Sequence, residues 1–262
     1  MSASRMSTCA ILPAAGRGSR LGREGPKLLA PVTEEDTVWS LLRRKLSGLV
    51  DGVHVVVSPA HLEAVRAATA ALEADDGLPT TFAVQEQPTG MGDAVFSGWS
   101  QWQDARAILV VWGDQVHVSR ETLARARRCH GGDADRVVLP LVSLPKPYVE
   151  YRFDDDGRLS AVLQAREGDE CRPGGKGDVG TFVLSTPRLV QEWELFRADS
   201  LPGARTGEVN FLPFLVRLAQ RGWAVQPIDV GDPREARGVN TAGDLAFFRR
   251  LYAEGRSHPA GD

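Results

Sequence analysis

Two glycines and two cations stand closest to any chemistry this chain could do. Gly16 and Gly18 follow directly on an apolar run over residues 9–12, and Arg20 and then Lys27, behind Pro26, come after them. Such a run reads as a buried first strand emptying into a glycine-rich loop. Without a Cβ at Gly16 and Gly18, backbone N–H groups can close around polyphosphate oxygens, while Arg20 and Lys27 supply full positive charge. The competing reading is a mobile glycine loop with incidental surface cations. Two familiar phosphate loops do not fit. A P-loop needs Lys-Ser/Thr where Arg20-Leu21 stand, and the third glycine of a dinucleotide fingerprint comes one residue late, at Gly22, with Pro26 interrupting the helix that should follow.

The order Pro13-Ala14-Ala15-Gly16-Arg17-Gly18-Ser19-Arg20-Leu21, with Pro26-Lys27 downstream, resembles the signature of the nucleoside-triphosphate transferases that activate sugar phosphates and related acids. The resemblance implies that Ala14, Ala15, Gly16, Gly18 and Ser19 touch the nucleotide and that Arg20 and Lys27 act on its phosphates. A second signature is similar to Gln85-Glu86-Gln87-Pro88-Thr89-Gly90-Met91-Gly92-Asp93. There the Gln85 amide, a donor and an acceptor at once, would read a pyrimidine edge, and Gly90 would let the backbone approach the ring. Asp114, directly after the apolar run 107–112, stands where the family keeps an aspartate that holds a divalent cation. Asn240, in Gly238-Val239-Asn240-Thr241, would supply the second oxygen. Magnesium suits such a pair, since it takes one or two hard protein oxygens and completes its shell with water and phosphate. A turn or capping role remains open for both residues.

Over nearly the whole chain the resemblance is to the uridylyltransferase half of bifunctional N-acetylglucosamine-1-phosphate uridylyltransferases, with no β-helical acetyltransferase half expected to follow. Departures gather on the acceptor side. Pro147-Tyr148-Val149-Glu150-Tyr151-Arg152 replaces a Gly-Tyr-Gly-Arg turn, Gln164 stands for a glutamate, and Asp178 for an asparagine. Tyr148, Gln164 and Asp178 are the expected acceptor contacts. Glu208 joins them, or else only favours the start of a helix. A carboxylate at 178 can accept from sugar hydroxyls or pair with an ammonium, and the sugar reading takes the first.

The implied activity is a magnesium-dependent nucleotidylyltransferase joining a nucleoside triphosphate, pyrimidine favoured, to a phosphorylated acceptor, with a sugar 1-phosphate leading. A cytidylyltransferase for a non-sugar phosphate or phosphonate is the alternative, and a non-catalytic nucleotide-binding module the remote one.

The elements that must position these residues follow from hydrophobic period. Strands are expected over 53–57, 80–84, 107–112, 137–142, 149–153, 159–163, 179–184 and 225–230. Helices are expected over 38–49, 62–72, 93–102, 212–218 and 245–251, with Thr37 capping the first. Strands alternating with helices imply a Rossmann-like three-layer α/β/α sandwich on a mostly parallel mixed sheet, ligands sitting at the strands' C-terminal ends. A β-hairpin about residues 154–157 is inserted on the acceptor side. The chain reads as one nucleotidyltransferase domain over 1–262. Its nucleotide-binding half is about 9–135 and its acceptor-binding half about 136–254; 1–8 and 255–262 are flexible tails, and 166–176 is a flexible loop over the site.

Composition excludes other classes. With 262 residues, 42% hydrophobic and 25% charged, the chain can bury a sizeable core. A net charge of −3 offers no basic face to nucleic acid. No run approaches the roughly 20 apolar residues of a membrane span. Three widely spaced cysteines and five histidines show no metal-ligand or disulfide spacing. A cytoplasmic location is expected.

Overall fold

The computed structural model describes residues 7–16, 18–22, 24–87 and 89–257. Ten strands form one mixed sheet. The first half is parallel: β3 (Thr80–Val84), β2 (Gly52–Val57), β1 (Thr8–Pro13) and β4 (Ala107–Val111) lie side by side in that order. The helices α1 (Val38–Leu46), α2 (Leu62–Asp76) and α3 (Met91–Ser97) connect them. Crossover helices cover both faces of a parallel sheet, so the inner strands β2, β1 and β4 are largely apolar, while the edge strand β3 is only part-buried. In β4 every residue is buried, with Leu109 and Val111 facing one core and Ile108 and Val110 the other. The first core takes Trp39 of α1, Val65 of α2 and Phe248 of the last helix; the second takes Val95 of α3 and later helices. Burying each such aliphatic side chain contributes about 1.5–3 kcal/mol, so the two faces fix the three layers.

The second half is mixed in direction. After α4 (Arg120–His130) come β5 (Arg136–Ser143), the hairpin β6 (Val149–Phe153) and β7 (Leu159–Gln164), then β8 (Lys176–Asp178) and β9 (Thr181–Ser185). The chain closes with α5 (Leu189–Asp199), α6 (Leu212–Gln220), β10 (Ala224–Asp229), which pairs parallel with β5, and α7 (Ala242–Ser257). β8 and β9 are two parts of one bent strand along β5, with Leu141 opposite Asp178 and Val138 opposite Val183. On the other side β4 borders the β9 part and β6 borders the β8 part, at Tyr151 opposite Lys176. The sheet therefore forks at Asp178–Gly180, and a cavity opens between the prongs.

The strands over 80–84 and 149–153 lie as expected, and Thr37 caps α1 by accepting from the Ser40 N–H while Ser40 Oγ accepts from the Thr37 N–H. Several expectations are corrected. Helix α1 stops at Leu46, because Gly48 turns the chain with a φ of 71°. The helix expected over 93–102 is the shorter α3 followed by a 3-10 turn, Trp99–Gln101. The strand over 179–184 splits where Gly180 adopts a φ of 70°. Helices α4 and α5 were not anticipated.

Thr8 is buried inside β1 and α7 runs to Ser257, so those residues are not tails; 1–6 and 258–262 lie outside the described residues. The loop over 166–176 is tied down. Glu150 is 1% exposed and accepts from the Arg172 N–H at 2.7 Å and its Nε at 2.8 Å, while Gly174 N–H donates to the Leu144 carbonyl.

Candidate active site

The loop after β1 is placed by backbone bonds first. Ala14 N–H donates to the Val56 carbonyl of β2 at 2.7 Å, and Gly113 N–H, just past β4, donates to the Pro13 carbonyl at 3.3 Å. A Cβ on Gly113 would come within 3.0 Å of the Ala14 Cβ, so only glycine lets the two strand ends approach this closely. Ala15 is buried and Gly16 is exposed at the rim. Gly18, with a φ of 61°, turns the chain into the 3-10 turn Ser19–Leu21. That turn brings Arg20 to the cavity, where it has no hydrogen-bond partner among the described residues. Pro26 then starts a second 3-10 turn, Lys27–Leu29.

Lys27, Asp114 and Asn240 meet. Lys27 Nζ donates to Asp114 Oδ2 at 3.3 Å and to Asn240 Oδ1 at 3.0 Å. The last two are fixed by their backbones: Val239 N–H donates to the Asp114 carbonyl at 2.8 Å, and Asp244 accepts from the N–H groups of Asn240 and Thr241 at the start of α7. Gly238 leaves room for the cluster, since a Cβ there would lie 3.0 Å from both Asp114 Cγ and Asn240 Nδ2. A charged and a neutral hard oxygen thus converge on one cation, which is the donor set magnesium accepts. Among the described residues there is no cluster of three or more His, Cys, Asp or Glu able to hold a metal.

The cavity of about 530 Å³ beside this cluster is lined by Arg20, Asp114 and Asn240 on one side and by Tyr148, Gln164 and Asp178 on the other. Trp112 and Phe211, in edge contact at 5.7 Å between ring centroids, form part of its wall. Asp178 sits in the fork of the sheet, Oδ1 accepting from Gly180 N–H at 2.7 Å and Oδ2 from Tyr151 Oη at 3.2 Å. Burial raises its pKa, the nearby Asp114 charge pushes the same way, and the two hydrogen bonds oppose them. Gln164 is 4% exposed and its Oε1 is buried without a hydrogen-bond partner. Tyr148 is 61% exposed.

Gln85 and Glu208 stand apart from this cavity. Gln85 Nε2 donates to the Gly90 carbonyl at 3.1 Å, and the side chain lines a neighbouring cavity with Thr89, Asp93 and Trp193. Gly90 also has a packing reason to be glycine, because a Cβ would fall 2.7 Å from the Val209 carbonyl oxygen. Glu208 faces Arg166 at 3.9 Å.

Sequence reasoning missed three residues of the wall. Gln115 follows Asp114, is 7% exposed, and likewise buries an unpartnered Oε1. Arg166 was read as part of a flexible loop, yet it lines the cavity, donating to Asn210 Oδ1. Arg237 lines it too, paired with Asp244 at 2.9 Å. Behind Arg166, Glu167 accepts from Arg205 N–H, Thr206 Oγ1 and Asn210 Nδ2, and these bonds hold its pKa down at about 2. Only the charged dipeptide Arg166-Glu167 ahead of Gly168 hinted at this anchor.

A strand end and a downstream asparagine meet at one cation, Lys27, just past the turn that follows the glycine loop. The model of the MobA-like NTP transferase domain matches residues 10–199, and the chain belongs to that family; it is a nucleotidyltransferase. Curated relatives named bifunctional protein GlmU include those of Aquifex aeolicus, 26% identical over 254 residues (92% of this chain, 52% of the relative), and Anaeromyxobacter sp., 30% identical over 262 residues (98% and 51%). That of Streptomyces griseus is 29% identical over 260 residues (97% and 52%). The chain spans about half the length of the curated relatives it matches.

Proposed function

We propose that this protein is a magnesium-dependent nucleotidylyltransferase that joins a nucleoside triphosphate, pyrimidine favoured, to a sugar 1-phosphate, releasing pyrophosphate and giving a nucleoside diphosphate sugar. The observation that carries this reading is the contact of Lys27 with Asp114 and Asn240, which lie 87 and 213 residues further along the chain. The similarity to GlmU proteins supports a sugar phosphate as acceptor.

The acceptor's phosphate oxygen attacks the α-phosphorus in line; the new P–O bond forms as the bond to the β-phosphate oxygen breaks, and pyrophosphate leaves with the electron pair. A phosphate monoester loses its second proton near pH ~6, so the attacking oxygen is already anionic and needs orientation more than a general base. Arg20 and Lys27 offset repulsion between the two anions and the charge that develops in transfer. Asp114 and Asn240 would hold magnesium, which when bound neutralises phosphate charge. Arg166 lines the same cavity and adds positive charge on the acceptor side.

A cytidylyltransferase acting on a non-sugar phosphate or phosphonate is the second reading. It is favoured by the hairpin: Glu150 is buried under Arg152 and Arg172, so the segment over 147–152 offers the cavity Tyr148 and Val149 and no charged group. A cytoplasmic location fits three free cysteines, and no helix among the described residues is long and apolar enough to cross a membrane.

Pyrophosphate release across a panel of triphosphates and acceptors, with and without EDTA, tests the proposal. Turnover with a pyrimidine triphosphate and a sugar 1-phosphate, abolished by EDTA, is expected. Tight triphosphate binding with no turnover on any acceptor would sink it.

A further inference from the structure

The carboxylates lining the main cavity are not alike. Asp114 meets Lys27 at 3.3 Å and Asp244 meets Arg237 at 2.9 Å, each a carboxylate with its own cation. Asp178 has none among the described residues. Its two oxygens accept only from a backbone N–H and a phenol, which order the group without cancelling its charge. Ionising a desolvated carboxyl with no counter-charge is costly, and an ammonium bound beside it removes that cost.

Its surroundings point to a cation. Gln115 and Gln164, both more than nine-tenths buried, line the same cavity and each leaves Oε1 without a donor. Tyr148 holds an exposed aromatic ring at the same wall, and such a face attracts an ammonium. Of the cavity's arginines, Arg237 is committed to Asp244 and Arg166 to Asn210 and Glu208, while Arg20 lines the opposite side, where the transferase reading gives it to the triphosphate. Gly180 is shaped for this wall as well, since a Cβ there would lie 2.3 Å from Gln115 Cγ.

We propose that the acceptor carries a protonated amine in addition to its phosphate or phosphonate, and that Asp178 reads that amine, with Gln115, Gln164 and Tyr148 around it. This rests on the transferase reading above and narrows its acceptor. The amine can belong to an amino-sugar 1-phosphate or to an aminoalkyl phosphate or phosphonate, since each puts an anion and an ammonium on one small molecule.

The test uses matched acceptors that differ only in the amine: glucosamine 1-phosphate against glucose 1-phosphate, and aminoethyl phosphate against ethyl phosphate. Pyrophosphate release should favour the aminated member of one pair by roughly 50-fold or more in kcat/KM, and the pair that responds identifies the source. In Asp178→Asn the preference should collapse to a few-fold while KM for the triphosphate holds. Equal turnover of both members in the wild-type protein would overturn the proposal without any variant. So would a preference that survives in Asp178→Asn, or a variant whose only defect is a higher magnesium requirement. Calorimetric titration of the same pairs reads amine recognition without turnover. Amine-selective binding in a protein that never releases pyrophosphate would sink the transferase reading and leave this one standing.

Discussion

The two walls of the central cavity treat their polar groups differently. On the nucleotide side every charged group of the cluster answers another: Lys27 bridges Asp114 and Asn240, and Asp244 answers Arg237 while holding the N–H groups of Asn240 and Thr241. On the proposed acceptor side Gln115 and Gln164 each bury an unpartnered oxygen, and Asp178 has no cation partner among the described residues. A wall already satisfied within the protein is preassembled and tolerates many partners. A wall left incomplete penalises any ligand that fails to complete it, by about 1–3 kcal/mol for each buried group left unpaired. On the proposed reading, the first wall serves the chemistry and the second the selectivity.

Breaking the satisfied wall should give the largest effect. Lys27→Met is expected to lower kcat by roughly 10²–10³ while base preference holds, because the ammonium acts on phosphate and not on the ring. Asp114→Asn and Asn240→Ala should fold, lose most turnover, and recover part of it at high magnesium. Circular dichroism alongside pyrophosphate release separates these outcomes, and full wild-type rates in either variant would count against the assignment.

Disturbing the incomplete wall should cost stability instead. Gly180→Ala forces a Cβ against Gln115 at a φ of 70°, and about 1–3 kcal/mol should be lost in urea unfolding. Glu150→Gln should cost less, about 1–2 kcal/mol, because Arg172 and Arg152 are 68% and 35% exposed and can take up water when released. Hydrogen bonds from Arg152 come first among the causes that hold the Glu150 pKa down to about 2. A depressed folded-state pKa stabilises above the unfolded value and loses that contribution as pH falls toward the folded one. The gap between wild type and Glu150→Gln should therefore narrow from pH ~5 downward, as unfolding curves at pH ~7 and ~3 would show. Smallest of all, Gln85→Ala should shift preference among triphosphates by roughly three- to tenfold, the scale of one hydrogen bond. An unchanged base preference would remove Gln85 from the nucleotide site.

The sequence carried the parallel half of the sheet plainly, because strands buried on both faces read as continuous apolar runs; His54 is the one polar interruption in β2. Helix α4 was illegible for the opposite reason. In Arg120–His130 only Leu123 and a few small residues mark the buried face among charges. Helix α5 did show helical spacing at Leu189, Trp193 and Phe196, but in a stretch between 184 and 212 to which no element was assigned. At the site, Lys27, Asp114 and Asn240 were found through motif resemblance. No local pattern could bring together residues more than two hundred positions apart. Gln115 carried no signal and Arg166 only its place in a charged dipeptide ahead of Gly168, since their place on the wall depends on where the bent strand of β8 and β9 turns.

That bend has a further consequence. The hairpin of β6 and β7 meets the rest of the sheet at the rung of Tyr151 and Lys176, through the Tyr151 bond to Asp178 and the Glu150 bonds to Arg172, and packs on α6, while β4 and β9 stay paired without it. Substitutions can therefore accumulate in the hairpin without disturbing the ladder that holds Asp114. On the proposed reading, one prong of the fork can be reshaped for a different acceptor while the ladder behind Asp114 stays as it is.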